Sequence, residues 1–258
     1  MASAPIQGLP LFYNDLTPIS SDVHADWRLR AKNGVPFLTK VHAVPLLAEE
    51  FINASRFYPI VFSAGENAVP LALMGLNEGV NTFVDEEGLF PADYYVPAYI
   101  RRYPFMLARL RPDTDELSLC VDPTSDVIGA FDEGEPLFDG KQPSERTREI
   151  LSFCEQVEQA SLVTSAFFQD IAEQKLLIDG EFTAQPTGVA QPYVYRGFQI
   201  VSEEALKNLR GDIVRKWNQN GLLALLYAHI FSLQRMADVF GRQAQQGKLP
   251  PPNGPLVA

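Results

Sequence analysis

With 258 residues, 46% of them apolar and 21% charged, the chain is long enough to bury a core without disulfides or metals and too apolar for disorder along its length. Its formal net charge of −11 argues against the clustered basic surface that nucleic acid or an anionic membrane requires, and no run of four basic residues occurs. The longest apolar run, Leu222 to Leu233, is about half of the roughly 20 residues a bilayer span needs, so no membrane span is expected.

Residues 1–20, rich in Pro, Ser and Gly, read as an extended lead-in. The start, Met-Ala-Ser-Ala-Pro, lacks a basic segment followed by an apolar stretch, which predicts no secretory signal and hence a cytoplasmic location. Pro45 to Ala54 predicts a short helix, with Leu46, Leu47, Phe51 and Ile52 at helical spacing. Tyr58 to Phe62, Leu71 to Leu76 and Asn81 to Val84 predict strands joined by the polar turns Gly65-Glu66-Asn67 and Asn77-Glu78-Gly79, an antiparallel meander. Pro97 could open a helix that Pro104 would end, leaving Met106 to Leu110 extended, and Leu117 to Val121 reads as a further strand.

Asp122 to Pro143 holds three Pro, three Gly and six acidic residues and reads as a surface connection. Ser144 to about Leu177 predicts a long helix capped by Ser144, with Ile150, Cys154, Val157, Ser161, Phe168 and Ile171 along one face. Leu176 to Phe182 and Tyr193 to Val201 predict strands, and Ser202 caps a short helix to Leu209. Asp212 to Arg242 predicts a helical pair broken at Asn220-Gly221, before a Pro-rich tail. The fold class expected is α+β: an N-terminal antiparallel sheet with a short helix, packed against a helical C-terminal half. The expectation is a single domain over 21–243, sheet-rich at 21–121, acidic at 122–143 and helix-rich at 144–243, followed by a flexible tail at 244–258. Cys120 and Cys154 read as reduced, buried thiols, and no CxxC, GxGxxG or Walker-type loop is present.

One segment carries more information. Asn81-Thr82-Phe83-Val84-Asp85, then Gly88, then Tyr95-Val96-Pro97-Ala98-Tyr99-Ile100-Arg101-Arg102-Tyr103-Pro104-Phe105 resembles the SapC family of bacterial proteins. That family shows an Asn-x-Phe-Val-Asp stretch followed by a Tyr-x-Pro-Ala-Tyr-x-Arg-Arg-Tyr-Pro-Phe box. Upstream, Phe51 to Phe62 is similar to its Glu-Phe…Tyr-Pro-Ile-Val-Phe stretch, and Gly221 to Leu233 to its Gly-Leu-Leu…Tyr-Ala-His-x-x-Ser-Leu helix. The resemblance spans roughly residues 20–240. A family Trp after the glycine is replaced here by Leu89 and Phe90. The family name implies a link to bacterial surface layers and their export. A peptide-transport label attached to it would need spanning helices, which this sequence does not predict. The family is also met beside genes for TonB-dependent receptors and flavin-dependent halogenases, which implies a loose link to uptake or modification.

Tyr94, Tyr95, Tyr99 and Tyr103 cluster with Arg101 and Arg102 in an otherwise acidic chain. Guanidinium forks match carboxylate or phosphate, Tyr adds a stacking face and a hydroxyl, and Pro97 and Pro104 would stiffen the segment. Asn81, Tyr95, Tyr99, Arg101, Arg102 and Tyr103 are therefore the expected ligand-binding residues, for an anionic or aromatic small molecule or peptide. The structural alternative pairs the two Arg with Asp85, Glu87 or Asp93 and places the rings in the core. His24-Ala25-Asp26 has the spacing of a facial-triad metal site, for which His42 or His229 would supply a second nitrogen. His229 on its apolar helix reads instead as a hydrogen-bonded core histidine. No Gly-x-Ser-x-Gly occurs. The sequence favours a non-catalytic binding or accessory protein without cofactor or metal. The alternatives are a metal-dependent enzyme built on His24 and Asp26, and a surface-layer structural protein; a homo-oligomer stays open.

Overall fold

The computed structural model describes residues 9–31, 34–65, 68–111, 113–189 and 191–250. In chain order the elements are β1 (Thr17–Pro18), β2 (Arg28–Leu29), β3 (Ala43–Pro45), α1 (Phe51–Ala54), β4 (Ile60–Ser63), β5 (Pro70–Leu73), α2 (Ala98–Arg102), β6 (Phe105–Arg109) and β7 (Leu117–Val121). There follow β8 (Ile128–Gly129), β9 (Glu135–Pro136), β10 (Phe138–Asp139), β11 (Gln142–Pro143), α3 (Glu145–Glu173), β12 (Leu177–Asp179), β13 (Phe182–Ala184), β14 (Tyr193–Tyr195) and β15 (Phe198–Val201). The C-terminal region is helical: α4 (Glu203–Lys207), α5 (Gly211–Gln219), α6 (Leu222–Ser232) and α7 (Arg235–Gln245). Several small antiparallel sheets with these helices make the fold α+β.

Several expectations shift in detail. Pro45 belongs to β3, opposite Leu71, and the helix begins only at Phe51 after a 3-10 turn at Ala48–Glu50. Asn81 to Val84 is not a strand: the Asn81 side-chain amide donates to Leu38 O at 2.9 Å and its oxygen accepts Phe83 N–H at 2.8 Å, which bends the backbone out of any ladder. The acidic connection is partly interior, because its short strands bring Ile128 and Leu137 into a core. The second half of the lead-in is tied down, with Thr17 and Pro18 paired to Val121 and Cys120. The turn residues Glu66 and Asn67 and the tail beyond residue 250 lie outside the described residues.

The chain forms two compact units, each built from two stretches of sequence. Unit 1 comprises Met1–Asn33 and Ile100–Gln159. Its sheets are β1-β7-β6 and β8-β2-β9. They enclose Phe105, Leu107, Leu119, Val121, Ile128, Leu137 and Cys154, with Trp27 and Ile150 at the margin. Ser144 caps α3 by accepting Thr147 N–H at 3.2 Å, as the sequence predicts. Both cysteines are free and buried, and burial pushes each thiol up to about 11.

Unit 2 comprises Gly34–Tyr99 and Ala160–Ala258. Its five-stranded sheet runs β12-β15-β4-β5-β3, and α5, α6 and α7 follow in sequence. The 160–173 part of α3 buries Thr164 and Ile171, while Ser161, expected on the apolar face, is exposed. Thr164 Oγ1 accepts Ala48 N–H at 2.9 Å.

β15 pairs with β4 at Phe198–Ser63 and Gln199–Phe62. Continuing that register would set Val201 opposite Ile60, but the fully buried His229 ring lies there instead. Its Nε2 accepts Val201 N–H at 3.1 Å and its Nδ1 donates to Ile60 O at 2.8 Å. Ser232, one turn on, accepts Ile60 N–H at 2.9 Å and donates to His229 O at 2.6 Å. Two side chains of α6 thus satisfy backbone groups that the ladder leaves open. The arrangement needs a neutral imidazole with its proton on Nδ1.

Burial holds His229 down to about 4, from an ordinary 6.5. The folded state therefore rejects a proton that the unfolded chain accepts, so the stabilisation is complete above about 6.5 and disappears as pH falls toward 4. The loss over that window is on the order of 3 kcal/mol. Urea unfolding between pH 7 and pH 4 measures it, and His229→Gln should lower stability at pH 7 yet flatten the acid-side slope.

Candidate functional site

The Tyr95–Phe105 box is held at its start by a buried carboxylate. Glu50 Oε1 accepts Tyr95 O–H at 2.8 Å and Ala98 N–H at 2.7 Å, and Oε2 accepts Leu47 N–H at 2.8 Å. Tyr58 O–H donates to Tyr95 O at 2.6 Å. Because Ala98 is the first residue of α2, Glu50 sets where that short helix begins. Burial raises the Tyr58 hydroxyl well above its ordinary value, so it stays a donor. Nothing in local periodicity marks Glu50 as interior; the signal was its place before Phe51 in the Glu-Phe pair.

After α2 the chain turns at Tyr103-Pro104, a cis peptide, and continues as β6. Tyr103 is buried, with its ring edge-on to Tyr13 at 5.3 Å and Phe12 at 6.4 Å. Burial and the nearby Asp122 carboxylate raise its hydroxyl pKa. Asp122 is itself fully buried and accepts Asn14 N–H, Thr124 N–H and Thr124 O–H at 2.7–2.9 Å.

The second half of the box lines a cleft of about 660 Å³ within unit 1. Arg101, Arg102 and Phe105 form one wall, Leu29 and Arg30 another, and Arg146, Glu149, Ile150 and Phe153 of α3 a third. Those α3 residues recur at i, i+3, i+4 and i+7, one helical face. The four guanidinium groups differ. Arg102, with a side chain only 10% exposed, lies 3.5 Å from Glu158. Arg146 is shared between Glu149 at 3.0 Å and Glu135 at 3.3 Å. Arg101 is exposed and lies 5.0 Å from the Phe153 ring centre; Arg30 lies 3.6 Å over Phe131. Among the described residues neither of these two has a carboxylate within 4.0 Å.

The structure thus brings Arg101, Arg102 and Tyr103 to one cleft. Tyr95, Tyr99 and Asn81 belong to unit 2 and do not line it. Asn81 is fully buried and its hydrogen bonds serve the 34–99 backbone, while Tyr95 is held by Glu50. Arg102 pairs with Glu158, not with Asp85, Glu87 or Asp93. Arg30 was not singled out from the sequence, since a lone Arg after a two-residue strand gives no pattern.

The histidines are drawn into the fold. His24 is buried, accepts Ser20 N–H on Nδ1 at 3.1 Å, and lies edge-on to Trp27 at 4.3 Å. His229 uses both ring nitrogens on backbone groups. Burial lowers the His42 pKa. Among the described residues no three His, Cys, Asp or Glu side chains are grouped as metal ligands, and no helix is long and apolar enough to cross a membrane.

The SapC family model matches residues 19–239. The chain belongs to the SapC family. No curated protein and no solved structure matches it. In this SapC chain Glu50 fixes the start of the Tyr95–Phe105 box, and His229 with Ser232 completes the sheet. Gly88 of the same resemblance sits at φ +78°, with Val35 O only 2.1 Å from where a Cβ would be, so neither the conformation nor the space admits a side chain.

Replacing Glu50 by Ala strands three donors, one buried and two part-buried. We expect a loss of about 3 kcal/mol or more, read as a lowered urea midpoint. Glu50→Gln, which keeps the acceptor oxygen at one side, should lose less.

Proposed function

We propose that this SapC-family protein is a non-catalytic binding protein, and that its unit 1 cleft takes a small molecule or peptide end joining an anionic group to an apolar or aromatic body. The observation that carries the reading is the pair Arg101 and Arg30. Each lies on a ring and has no carboxylate within 4.0 Å among the described residues, in a chain of net charge −11. A guanidinium held against a ring has lost part of its freedom already, so an incoming carboxylate meets less ordering cost. Leu29, Phe105, Val127, Ile150 and Phe153 supply the apolar surface beside them. Cavities of roughly 300–1,000 Å³ with a few polar groups in an apolar lining suit small ligands.

Arg102 and Arg146 have other tasks in this reading. Paired with Glu158, Glu135 and Glu149, they hold the walls and set the cleft's shape. The Tyr103 hydroxyl, its pKa raised by burial, stays protonated beside Asp122 and Ser125 and belongs to the framework of the cleft.

The test is a thermal-shift and calorimetric screen of aryl carboxylates, short peptides with free C-termini, and their neutral amides. A carboxylate should raise the melting temperature where its amide does not, by mass action on the folded state. Arg101→Ala and Arg30→Ala should keep the melting temperature of the free protein but weaken binding at least about tenfold each. Arg102→Ala should instead lower stability, by about 1 kcal/mol. Binding that survives both Arg101→Ala and Arg30→Ala, or amides binding as well as acids, would refute the assignment.

A further inference from the structure

Unit 2 carries a second concentration of guanidinium groups that the reading above does not use. A cavity of about 630 Å³ is lined by Arg56, Arg235 and Arg242, together with Phe57, Tyr94 and Asp238. Arg235, Asp238 and Arg242 lie on one face of α7, with Gly241 between them leaving open space. Arg242 is half-buried; its Nη2 donates to Tyr94 Oη, and its guanidinium carbon lies 4.9 Å from the Phe83 ring centre and 5.5 Å from that of Tyr94. Arg56 lies 5.9 Å from the Phe57 ring centre. Phe57 and Tyr94 are themselves in contact, with ring centres 5.1 Å apart. Arg235 is bridged to Asp238 at 3.0 Å. Among the described residues, Arg56 and Arg242 have no carboxylate within 4.0 Å.

Three cations thus converge on one cavity against a single carboxylate, over an aromatic floor. We propose that this cavity is a phosphoryl-binding site for a phosphomonoester, with Arg56 and Arg242 contacting the phosphoryl oxygens and Arg235 assisting. The chemistry favours phosphoryl over carboxylate. A phosphomonoester carries close to two negative charges at neutral pH and three terminal oxygens, which matches two uncompensated guanidiniums and a third shared one. Arg242 is already fixed by its hydrogen bond to Tyr94 and by two rings, so its remaining donors are oriented before any ligand arrives. The faces of Phe57 and Tyr94 would receive a planar group attached to the phosphate. Asp238 works against the ligand, which gives the proposal a test of opposite sign. The site is independent of the cleft in unit 1.

Isothermal titration of the full chain at fixed ionic strength, with inorganic phosphate and with phenyl phosphate, tests this. Phenyl phosphate should bind, and Arg56→Ala should weaken it at least about tenfold without moving the melting temperature of the free protein, because Arg56 is exposed. Asp238→Asn should tighten it severalfold, a gain that a merely structural role for Asp238 would not produce. Added sodium chloride should weaken it, and Arg101→Ala should leave it unchanged. If Arg242→Ala fails to fold, Arg242→Lys, which keeps the charge but loses the fork, should fold and bind more weakly. Equal binding of inorganic phosphate and phenyl phosphate, removed by Arg56→Ala, still supports a phosphoryl site and assigns the recognition to the head group alone. Absence of binding by both at millimolar concentration, or binding indifferent to both Arg56→Ala and Asp238→Asn, would overturn it.

Discussion

The sheet of unit 2 depends on one imidazole. Where β15 and β4 part, His229 stands between Val201 N–H and Ile60 O, accepting from one and donating to the other. Ser232 closes the remaining donor of Ile60. β4 is the middle strand of the order β12-β15-β4-β5-β3, so the residue so held lies at the centre of the sheet. An unpaired backbone group buried there would cost about as much as a lost hydrogen bond, and here there would be three. The price is dependence on protonation: the ring works only as the neutral Nδ1–H tautomer.

Glu50 and Asp122 repeat the same device with carboxylates, one in each unit. Each is buried, each accepts three hydrogen bonds, and each connects segments far apart in sequence. Charge-assisted acceptors of this kind are stronger than neutral ones and intolerant of removal. Glu50 holds the start of the box that carries Arg101 and Arg102, and the Asp122 backbone N–H donates to Pro104 O near its end. The box is therefore partly framework and partly cleft wall, and its residues cannot be assigned one role as a group.

How far the sequence could be read follows from the range of the interactions. The Ser144 and Ser202 caps, the strand Leu117–Val121 and the break at Asn220-Gly221 are local, set by neighbours within a turn, and they were legible. The final helical stretch nonetheless divides again, at Leu233-Gln234, giving three helices where two were expected. Asn81 looked like a strand residue because its neighbours are β-formers; its side-chain hydrogen bonds to Leu38 and Phe83 overrode that preference. The cleft was legible only along one wall. Arg30 and Phe153 come from distant parts of the chain, and no pattern within a window could join them to Arg101. Arg56 and Arg242 were invisible for the same reason, whereas Tyr94, which they flank, stood out through its aromatic neighbours.

The interleaving of the two units has a consequence for biosynthesis. The chain begins in unit 1, passes to unit 2 after Asn33, returns at Ile100, and leaves again after Gln159 in the middle of α3. A ribosome delivers sequence in one direction, so unit 1 cannot close until residues 34–99 have already emerged with their own sheet incomplete. During that interval β4 and β5 are made while β15 and α6, which cover and complete them, are still to be translated. The nascent chain therefore carries an unfinished, apolar strand pair for more than a hundred residues of synthesis, the stage at which a holding chaperone would have most to protect.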